Sequence, residues 1–394
     1  QISPETQLFI REHSSDDVRT LALQAKKYPD INMPTAITQI AGRQVAAEKI
    51  PSWREIEEIW YPKHLSLEQC SSEITARYKA RLFQGDSLTD LTGGFGIDCS
   101  FLATGFKSAT YVERQEELCE IAAHNFPILN LNHINVRNED GVAYLQTMSP
   151  VDCIFLDPAR RNEHGGKTVA ISDCEPNVAE LEALLLSKAN RVMIKLSPML
   201  DLSLALKELK HTQEIHILSV NNECKELLIL LRQTSPAEIA IHCVNLLTKG
   251  TQEEQHLVFT REQEQRSQCT YTDSLGNYLY EPNASLLKAG AFRSIAAAYP
   301  VRKLHPNSHL YISDSFIENF PGRIFRIVNQ CSFNKKEVKE NLADLKKANV
   351  TVRNFPATVA ELRKRLHLTE GGDTYLFAST LNNGQKVIIR CEKV

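Results

Sequence analysis

Glycines and carboxylates follow four apolar, strand-like runs in the middle of the chain, and these residue types could hold a nucleotide-like ligand. The first run, from Ser87 to Leu91, overlaps the motif Asp90-Leu91-Thr92-Gly93-Gly94-Phe95-Gly96, and a helix-like stretch then begins at Ile97. A strand, a glycine turn and a helix start form the phosphate- or nucleotide-binding corner of a doubly wound sheet. Glycines are needed there because the turn is tight and the backbone must come close to the ligand.

Three later segments predict the rest of the same corner. The second run ends in Glu113, where an acidic side chain can accept both hydroxyls of a ribose. The third leads to Asn138-Glu139-Asp140-Gly141, and the fourth ends in Asp157-Pro158-Ala159-Arg160-Arg161. These residues all follow the carboxyl ends of strands, which form the ligand-binding edge of an open α/β sheet. Spacing alone does not separate a nicotinamide dinucleotide site from an S-adenosylmethionine site.

Taken in order, these motifs resemble those of class I S-adenosylmethionine-dependent methyltransferases over residues 80 to 250. More narrowly, three segments resemble bacterial methyltransferases that carry a THUMP-like C-terminal domain, a group generally associated with RNA. These segments are Asp157 to Arg161, the loop Gly165-Gly166-Lys167, and Ile194 to Met199. The resemblance implies S-adenosyl-L-methionine as the cofactor and an RNA methylation activity.

The resemblance also implies roles for individual residues. Glu113 would hold the ribose and Asp140 the adenine amino group, and Asp90 would lie near the amino group of the methionine part. Asp157 is expected to accept a hydrogen bond from the target amine, and Pro158 to turn a carbonyl toward the substrate. The residues expected in catalysis are Asp157, Pro158 and Arg160, and those expected to bind the cofactor are Asp90, Thr92, Gly93, Gly94, Gly96, Glu113, Arg114, Asp140 and Gly141.

The motif after the fourth strand departs from the pattern of amino-methylating enzymes. That pattern has a second proline and then an aromatic residue that stacks on a flipped base, where this chain has Ala159 and Arg160. Arg160 is therefore predicted to clamp a phosphate or to stack by its guanidinium plane. A cysteine-nucleophile route is disfavoured because Cys153 lies within a strand. Lys195, at the end of the fifth strand, has two interpretations: it steadies negative charge in the cleft, or it pairs with a neighbouring carboxylate.

The elements that must position these residues follow from hydrophobic patterning. Strands are predicted at about 87–92, 108–112, 134–136, 151–156 and 191–196, with helices between them. Residues 214–220 and 225–232 flank the turn Asn221-Asn222-Glu223 and predict a closing hairpin. The fold class is therefore predicted as α/β, a Rossmann-like class I methyltransferase sheet with an N-terminal helical region and a small α+β C-terminal domain.

A chain of 394 residues is long for a single core, and four regions are predicted. In the first, Ser66 and Gln69 predict a capping box that opens one helix through Leu82, and Trp53 and Trp60 are interpreted as packing residues. Along that helix, Arg77, Lys79 and Arg81 are expected on a solvated face, with substrate contact as the alternative. The predicted regions are 1–83 (N-terminal helical), 84–262 (cofactor-binding methyltransferase), 263–320 (small α+β, ferredoxin-like linker) and 321–394 (THUMP-like, basic α+β).

Charge is unevenly distributed along the chain. From residue 321 to the end there are 14 Lys and Arg against 7 Asp and Glu, which gives this segment a net charge of +7. The net charge of the whole chain is −3, so the residues before 321 carry a net charge of −10. A basic domain on an acidic body suggests that this domain meets a polyanion. RNA is therefore predicted to bind through residues such as Arg363, Lys364 and Arg365; the alternative is that these side chains only solvate helix faces.

Composition excludes several other classes. Hydrophobic residues make up 42% and charged residues 24%, as in ordinary soluble proteins, and no apolar run has the length or flanks of a membrane span or signal. The ten cysteines are scattered singly, without Cys-x-x-Cys or Cys/His metal spacing. We therefore expect a cytoplasmic protein with reduced Cys99, Cys119 and Cys153, no membrane partner and no metal, at His164 or elsewhere. Oligomeric state stays open.

Four hypotheses about function can be ranked on these observations. The first is an S-adenosylmethionine-dependent methyltransferase acting on a nucleobase of tRNA or rRNA. The second is a methyltransferase of small molecules or proteins, in which the basic domain serves oligomerisation. The third, a non-catalytic RNA-binding protein on the same scaffold, is disfavoured by the intact cofactor motifs. A nicotinamide oxidoreductase comes last, because the loop lacks the final glycine of Gly-x-Gly-x-x-Gly.

Overall fold

The computed structural model describes residues 1–161 and 170–394, so the predicted Gly165-Gly166-Lys167 loop and His164 lie outside the described residues. The chain forms two compact units. The first comprises Gln1–Gln213 and Leu228–Ser235, and the second comprises Glu214–Leu227 and Pro236–Val394.

The first unit combines an N-terminal set of helices with a parallel sheet. Its helices are α1 (Pro4–Glu12), α2 (Val18–Leu23), α3 (Met33–Lys49), α4 (Pro51–Arg54), α5 (His64–Gln69), α6 (Glu73–Leu82), α7 (Ile97–Leu102), α8 (Glu116–Ile128), α9 (Gly141–Thr147), α10 (Val178–Lys188) and α11 (Leu202–Glu208), with short 3₁₀ turns at Ala25–Lys27, Ala103–Gly105 and Ile171–Asp173. Its strands are β1 (Gly85–Asp90), β2 (Phe106–Glu113), β3 (Ile134–Asn138), β4 (Val151–Leu156), β5 (Ala159–Arg160), β6 (Cys174–Glu175) and β7 (Ala189–Leu196).

The long helix predicted from Ser66 to Leu82 is wrong, because the chain forms two helices there. Cys70 is extended, with ψ of 160°, and Ser72 takes the N-cap position of α6. Ser66 therefore lies inside α5 rather than at a cap. After the break, Ser71 lies beside the first turn of α7, where its Oγ donates a hydrogen bond of 2.8 Å to Asp98 Oδ2.

Five parallel strands form the sheet of the first unit in the order β7-β4-β1-β2-β3. The predicted strands correspond to β1, β2, β3, β4 and β7, which confirms the α/β fold class. Burial increases toward the carboxyl end of the central strand, where Leu88, Thr89 and Asp90 are all buried. Because parallel strands all end at one edge, Asp90, Glu113 and Asp157 are brought to the same side of the sheet.

The N-terminal helices pack on the segment that carries the glycine motif. Trp53 is 3% exposed, and its ring lies 5.3 Å from that of Phe95, centroid to centroid. Trp60 stacks on His124 with ring centroids 3.6 Å apart. Both tryptophans are thus packing residues, as predicted, and the helical region supports the glycine loop from behind.

The second unit contains a strand group and a separate mixed sheet. Its strands are β8 (Thr212–Val220), β9 (Glu223–Leu231), β10 (Ala240–Leu246), β11 (Glu254–Phe259), β12 (Tyr278–Pro282), β13 (Arg302–Lys303), β14 (Tyr311–Ser313), β15 (Gly322–Ser332), β16 (Asn349–Arg353), β17 (Thr374–Thr380) and β18 (Lys386–Lys393), of which β8 and β9 also have residues in the first unit; its helices are α12 (Arg261–Arg266), α13 (Ala284–Ala289), α14 (Phe292–Ala298), α15 (Lys335–Leu342) and α16 (Val359–Leu366).

The strands of the second unit pair in two separate groups. Strand β10 pairs with β8 in parallel and with β11 antiparallel. Asn221 and Asn222, at φ of 47° and 65°, turn the chain between β8 and β9. The other sheet has the order β13-β14-β12-β15-β18-β17-β16. From β15 onward the elements run β-α-β-α-β-β, and Gly290, whose φ is 71°, ends α13 just before α14 begins.

All ten cysteines lie within the described residues and are free thiols. Cys99 and Cys153 are fully buried and Cys119 is 6% exposed, as expected for reduced core residues. Within residues 1–161 and 170–394, no helix combines the length and the apolar character that crossing a bilayer would require.

Candidate active site

A cleft of about 890 Å³ opens at the carboxyl edge of β1, β2 and β4 in the first unit. This volume is typical of small-molecule and cofactor sites. The cleft brings together every residue of the predicted set except Pro158, which is buried and does not line it. The predicted residues that line it are Asp90, Thr92, Gly93, Gly94, Gly96, Glu113, Arg114, Asp140, Gly141, Asp157 and Arg160.

The glycine loop has its composition for steric reasons. A Cβ on Gly93 would overlap the ring of Tyr111, and the Gly93 amide donates a 2.8 Å hydrogen bond to Val112 O. Gly94 and Gly96 have φ of +57° and +92°, a region that other residues rarely adopt. The tyrosine hydroxyl donates to Gly94 O. The loop is therefore fixed in a conformation that exposes its backbone to the cleft.

Glu113 lies at the end of β2 and holds the glycine loop through its carboxylate. Its Oε1 accepts a 3.2 Å hydrogen bond from the Gly94 amide, and its Oε2 accepts one of 2.8 Å from the Gln115 amide. A carboxylate has about four acceptor positions. These two backbone bonds orient the group and leave it capacity to accept hydroxyl donors from the cleft.

Asp140 has a structural role beside the one predicted for it. It is the N-cap of α9, and its Oδ2 accepts a 3.0 Å hydrogen bond from the Ala143 amide. The next residue must be glycine because a Cβ on Gly141 would overlap the carbonyl oxygen of Leu91. This close approach places the start of α9 directly against the end of β1, so Asp140 reaches the cleft. The exposed Arg114, which follows β2, lines the cleft as well.

Thr92 connects the ends of β1 and β4. Its amide donates a 2.9 Å hydrogen bond to Asp90 Oδ1, and its Oγ1 accepts one of 2.7 Å from the Asp157 amide. Asp90 is 1% exposed. Burial raises the pKa of Asp90 well above its ordinary value, and the nearby carboxylates of Asp98, Asp157 and Glu113 act in the same direction, against the hydrogen bond from Thr92.

Asp157 faces the cleft and pairs with a lysine. Lys195 Nζ lies 3.1 Å from Asp157 Oδ2, which confirms the interpretation that this lysine pairs with a neighbouring carboxylate. The aspartate side chain is 37% exposed at the cleft surface. Desolvation by the cleft walls nevertheless raises the pKa of Asp157, and Asp98 contributes in the same direction while Lys195 opposes it.

A buried ion pair behind Asp157 was not predicted. Lys79, on α6, is fully buried, and its Nζ lies 2.8 Å from Asp98 Oδ1 and 2.8 Å from Ser71 Oγ. Lys195 Nζ lies 3.9 Å from the other oxygen of the Asp98 carboxylate. Charges thus alternate from Lys79 through Asp98 and Lys195 to Asp157.

Burial alone would raise the pKa of Asp98, but the two ammonium groups of Lys79 and Lys195 hold it below its ordinary value. The solvated-face prediction was correct for Arg77 and Arg81 and wrong for Lys79, which points inward from the same helix. A sequence signal for this pair is weak, because a lysine between two arginines is usually solvated.

Arg160 lies at the margin of the cleft in the exposed strand β5, which pairs antiparallel with β6. Its Nη1 lies 3.5 Å from Met199 Sδ. The Met199 side chain is 46% exposed, which is high for a residue of its size and apolarity. The cationic group therefore lies at the margin of the cleft beside an exposed thioether, where it can meet an anionic or planar group.

The thiols of Cys153 and Cys70 are not suited to act as nucleophiles at this site. Burial raises the pKa of Cys153 to about 11, and the thiol lies inside β4. Cys70 lines the cleft, but burial likewise raises its pKa to about 11. A thiol of this kind is protonated at neutral pH and is a poor nucleophile.

Comparison with known proteins gives matches for the C-terminal segments and for the whole chain. Residues 278–321 match a family described as a ferredoxin-like domain, and residues 322–393 match a THUMP domain-like family. The crystal structure of a presumed methyltransferase from Porphyromonas gingivalis W83 superposes with a TM-score of 0.87 at 34% identity, covering 99% of this chain and 98% of that one. No curated protein matches the chain.

More distant structures resemble a smaller part of the chain. An rRNA methylase from Streptococcus thermophilus is 15% identical over 40% of this chain and 93% of its own, with a TM-score of 0.30. A presumed methyltransferase from Streptococcus mutans, in complex with SAH, is 14% identical over 41% of this chain and 96% of its own, also at 0.30.

Proposed function

We propose a function on the premise that this chain belongs to the family of class I methyltransferases with a THUMP-like C-terminal domain. The proposed function is transfer of the methyl group of S-adenosylmethionine to a nucleobase in tRNA or rRNA. The family follows from the 34% identity to the Porphyromonas gingivalis protein over 99% of this chain. The observation that carries the cofactor proposal is the hydrogen bond between Glu113 and Gly94 inside the cleft. It brings the two motifs that define the predicted ribose and methionine positions into direct contact.

The residues of the cleft fit the proposed cofactor. The left-handed glycine backbone at Gly94 and Gly96 lines the cleft where the methionine part is expected, and Glu113 retains acceptor capacity for the ribose hydroxyls. When bound, the sulfonium group supplies an electrophilic methyl group, so the protein mainly has to align a nucleophile. Asp157 is the residue proposed to orient the target amine and accept its hydrogen bond. Lys195 fixes the position of that carboxylate.

The proposal of RNA as the substrate is supported by charge. The last 74 residues carry a net charge of +7, and Lys364 and Arg365 on α16 are exposed. Arg363 contributes less, because its side chain is 25% exposed and its Nη1 lies 3.7 Å from Glu370 Oε2. Exposed cations of this kind neutralise phosphates without reading sequence. Contacts to the RNA backbone are therefore the proposed mode of binding.

The proposed division of labour follows the four regions predicted from the sequence. Residues 84–262 bind the cofactor with support from the helices of 1–83, residues 263–320 form the ferredoxin-like linker, and residues 321–394 bind RNA. Ten free thiols are consistent with a reducing compartment. An RNA substrate and free thiols together favour action in the cytoplasm.

Replacement of Glu113 by Ala should strongly weaken cofactor binding. The change removes the proposed acceptor for two ribose hydroxyls and also releases Gly94, so a loss of about 100-fold or more in affinity is expected, at roughly 1.5–3 kcal/mol per charged hydrogen bond. Isothermal titration of S-adenosylmethionine into both proteins measures it. Asp86→Ala is the matched control, because this exposed carboxylate lies at the opposite end of β1. Absence of binding to the wild type would overturn the cofactor proposal.

Reversal of the charges on α16 should weaken RNA binding and leave the cofactor affinity unchanged. For the triple change of Arg363, Lys364 and Arg365 to Glu, we expect a loss of about 10-fold or more at low salt and a shallower dependence of affinity on salt concentration. Filter binding of cellular tRNA and rRNA across a salt series measures both. The control reverses three exposed cations of the N-terminal helices, Arg19, Lys26 and Lys27.

Equal loss in the α16 variant and in the control variant would mean that RNA binding is not localised to α16. Methyl transfer to a protein or small molecule, with no RNA binding by the wild type, would favour the second hypothesis, in which the basic domain serves assembly. Cofactor and RNA binding without transfer to any RNA would favour a non-catalytic RNA-binding protein.

A further inference from the structure

A cluster of histidines and glutamates lies in the second unit, on one face of the strands β8, β10 and β11. In the parallel register of β8 and β10, His242 is directly opposite His216, and Glu214 precedes that histidine by two residues on the same face. One ligand-type atom from each of these three residues lies within 4.8 Å of the others. The sequence predicts no metal because these residues are far apart in the chain, and strand register alone brings them together.

The distances within the cluster suit a small divalent ion. Glu214 Oε1 lies 3.1 Å from His216 Nε2, and Glu214 Oε2 lies 3.7 Å from His242 Nε2. Around a tetrahedral ion with ligand bonds of about 2.0–2.2 Å, ligand atoms are roughly 3.3–3.6 Å apart. The distances from the two carboxylate oxygens to the two imidazole nitrogens are thus close to the ligand–ligand distances that such an ion requires.

Further residues orient one of these histidines from behind. His242 Nδ1 lies 2.9 Å from His256 Nε2, and the Nδ1 of His256 lies 3.8 Å from Glu254 Oε1. Metal-binding histidines usually have their other ring nitrogen engaged in this way, which fixes the ring and its tautomer. The contact with His256 keeps Nε2 of His242 directed at Glu214.

The cluster is also accessible from solvent. The side chains of Glu214 and His242 are 31% and 20% exposed, so an ion can reach them from solvent. His216 is 2% exposed and therefore lies on the buried side of the cluster.

We propose that Glu214, His216 and His242 bind one divalent transition-metal ion of the zinc class, with water at the fourth position. Imidazole nitrogens with a carboxylate suit Zn²⁺ and its neighbours rather than Mg²⁺ or Ca²⁺. The rings of His216 and His242 are stacked at 4.2 Å with an interplanar angle of 7°. At least one of the two rings rotates about χ2 to direct its nitrogen lone pair at the ion. The distribution of χ2 angles in histidine is broad, so this rotation is accessible. The ion then ties β8 to β10.

The test uses the full chain stripped of metal by a chelator. Isothermal titration with Zn²⁺ should show one site per chain, and Zn²⁺ should raise the melting temperature because it binds the folded state. Co²⁺ in its place should give the intense visible absorption of a tetrahedral site. His242→Ala should lower the Zn²⁺ affinity by about 100-fold or more, and His256→Ala by about 10- to 100-fold.

His64→Ala is the matched control, because His64 and Glu68 form an exposed His–Glu pair at 2.7 Å elsewhere on the chain. It should leave the affinity unchanged. The proposal is overturned if the wild type binds no Zn²⁺, if His242→Ala retains wild-type affinity, or if Co²⁺ gives only an octahedral spectrum. The Co²⁺ spectrum of the wild type decides the matter even if a variant fails to fold. The result is independent of cofactor binding, which is measured at residues of the first unit.

Discussion

Asp157→Asn should lower the rate of methyl transfer by about 10²- to 10⁴-fold, the range for loss of a positioned acid–base group. The amide keeps the size of the side chain but removes the negative charge that orients and stabilises the target amine. Affinity for S-adenosylmethionine should stay within a few-fold of wild type, because Thr92 Oγ1 contacts the backbone amide of Asp157 rather than its carboxylate. Single-turnover transfer of labelled methyl groups, with cofactor titration in parallel, separates the two effects.

The pH profile gives a second measure of the same residue. Desolvation raises the pKa of Asp157, so the acid limb of the wild-type rate should lie above the range of an ordinary aspartate, with activity rising as the carboxylate ionises. That limb should disappear in Asp157→Asn. Asp86→Asn, at the opposite end of β1, should match wild type in both rate and profile. An Asp157→Asn enzyme with more than a tenth of wild-type activity would contradict the role assigned to this residue.

Asp98→Asn should destabilise the protein by about 3–5 kcal/mol, the cost of leaving one member of a buried ion pair without its partner. Lys79 is fully buried and Asp98 is 11% exposed, so water cannot replace the lost countercharge. Urea unfolding followed by circular dichroism measures the change as a shift of the midpoint. This effect is expected to be the largest on stability among the single changes considered for the first unit.

Two further variants test the cause of that loss. Asp86→Asn breaks the pair with Lys107, whose side chains are 74% and 83% exposed, and should change stability by no more than about 0.5 kcal/mol. Adding Lys79→Met to Asp98→Asn removes the unpaired charge and should restore part of the stability. If the double variant is less stable than Asp98→Asn, the loss comes from packing rather than from charge.

Acid should produce the same instability in the wild type. The two lysines hold the pKa of Asp98 below its ordinary value, so the folded protein binds this proton less readily than the unfolded chain does. The stabilisation is therefore present above the pKa of an unfolded aspartate and is lost as pH falls through the lower folded value.

The sequence by itself determined the α/β core and the glycine loop. The strands and the turn at Gly93 to Gly96 follow from local sterics and from burial, which a short stretch of sequence encodes directly. Glu113 and Asp157 could be predicted because parallel strands all end at the same edge, and the acidic residues at the ends of β2 and β4 line the cleft there. Pro158 fitted the motif but is buried behind it, because a motif indicates a position in the chain and not the direction that a side chain faces.

Only the tertiary structure decided which charged side chains meet. Lys79, Asp98, Lys195 and Asp157 come from α6, the first turn of α7 and the ends of β7 and β4, and no spacing in the chain relates them. The histidine cluster depends in the same way on register, since a shift of one residue between β8 and β10 would place His216 and His242 on opposite faces. Local sterics act within a few residues and can be read from the sequence. Pairing between distant charges depends on how the folded elements pack, which the local sequence does not encode.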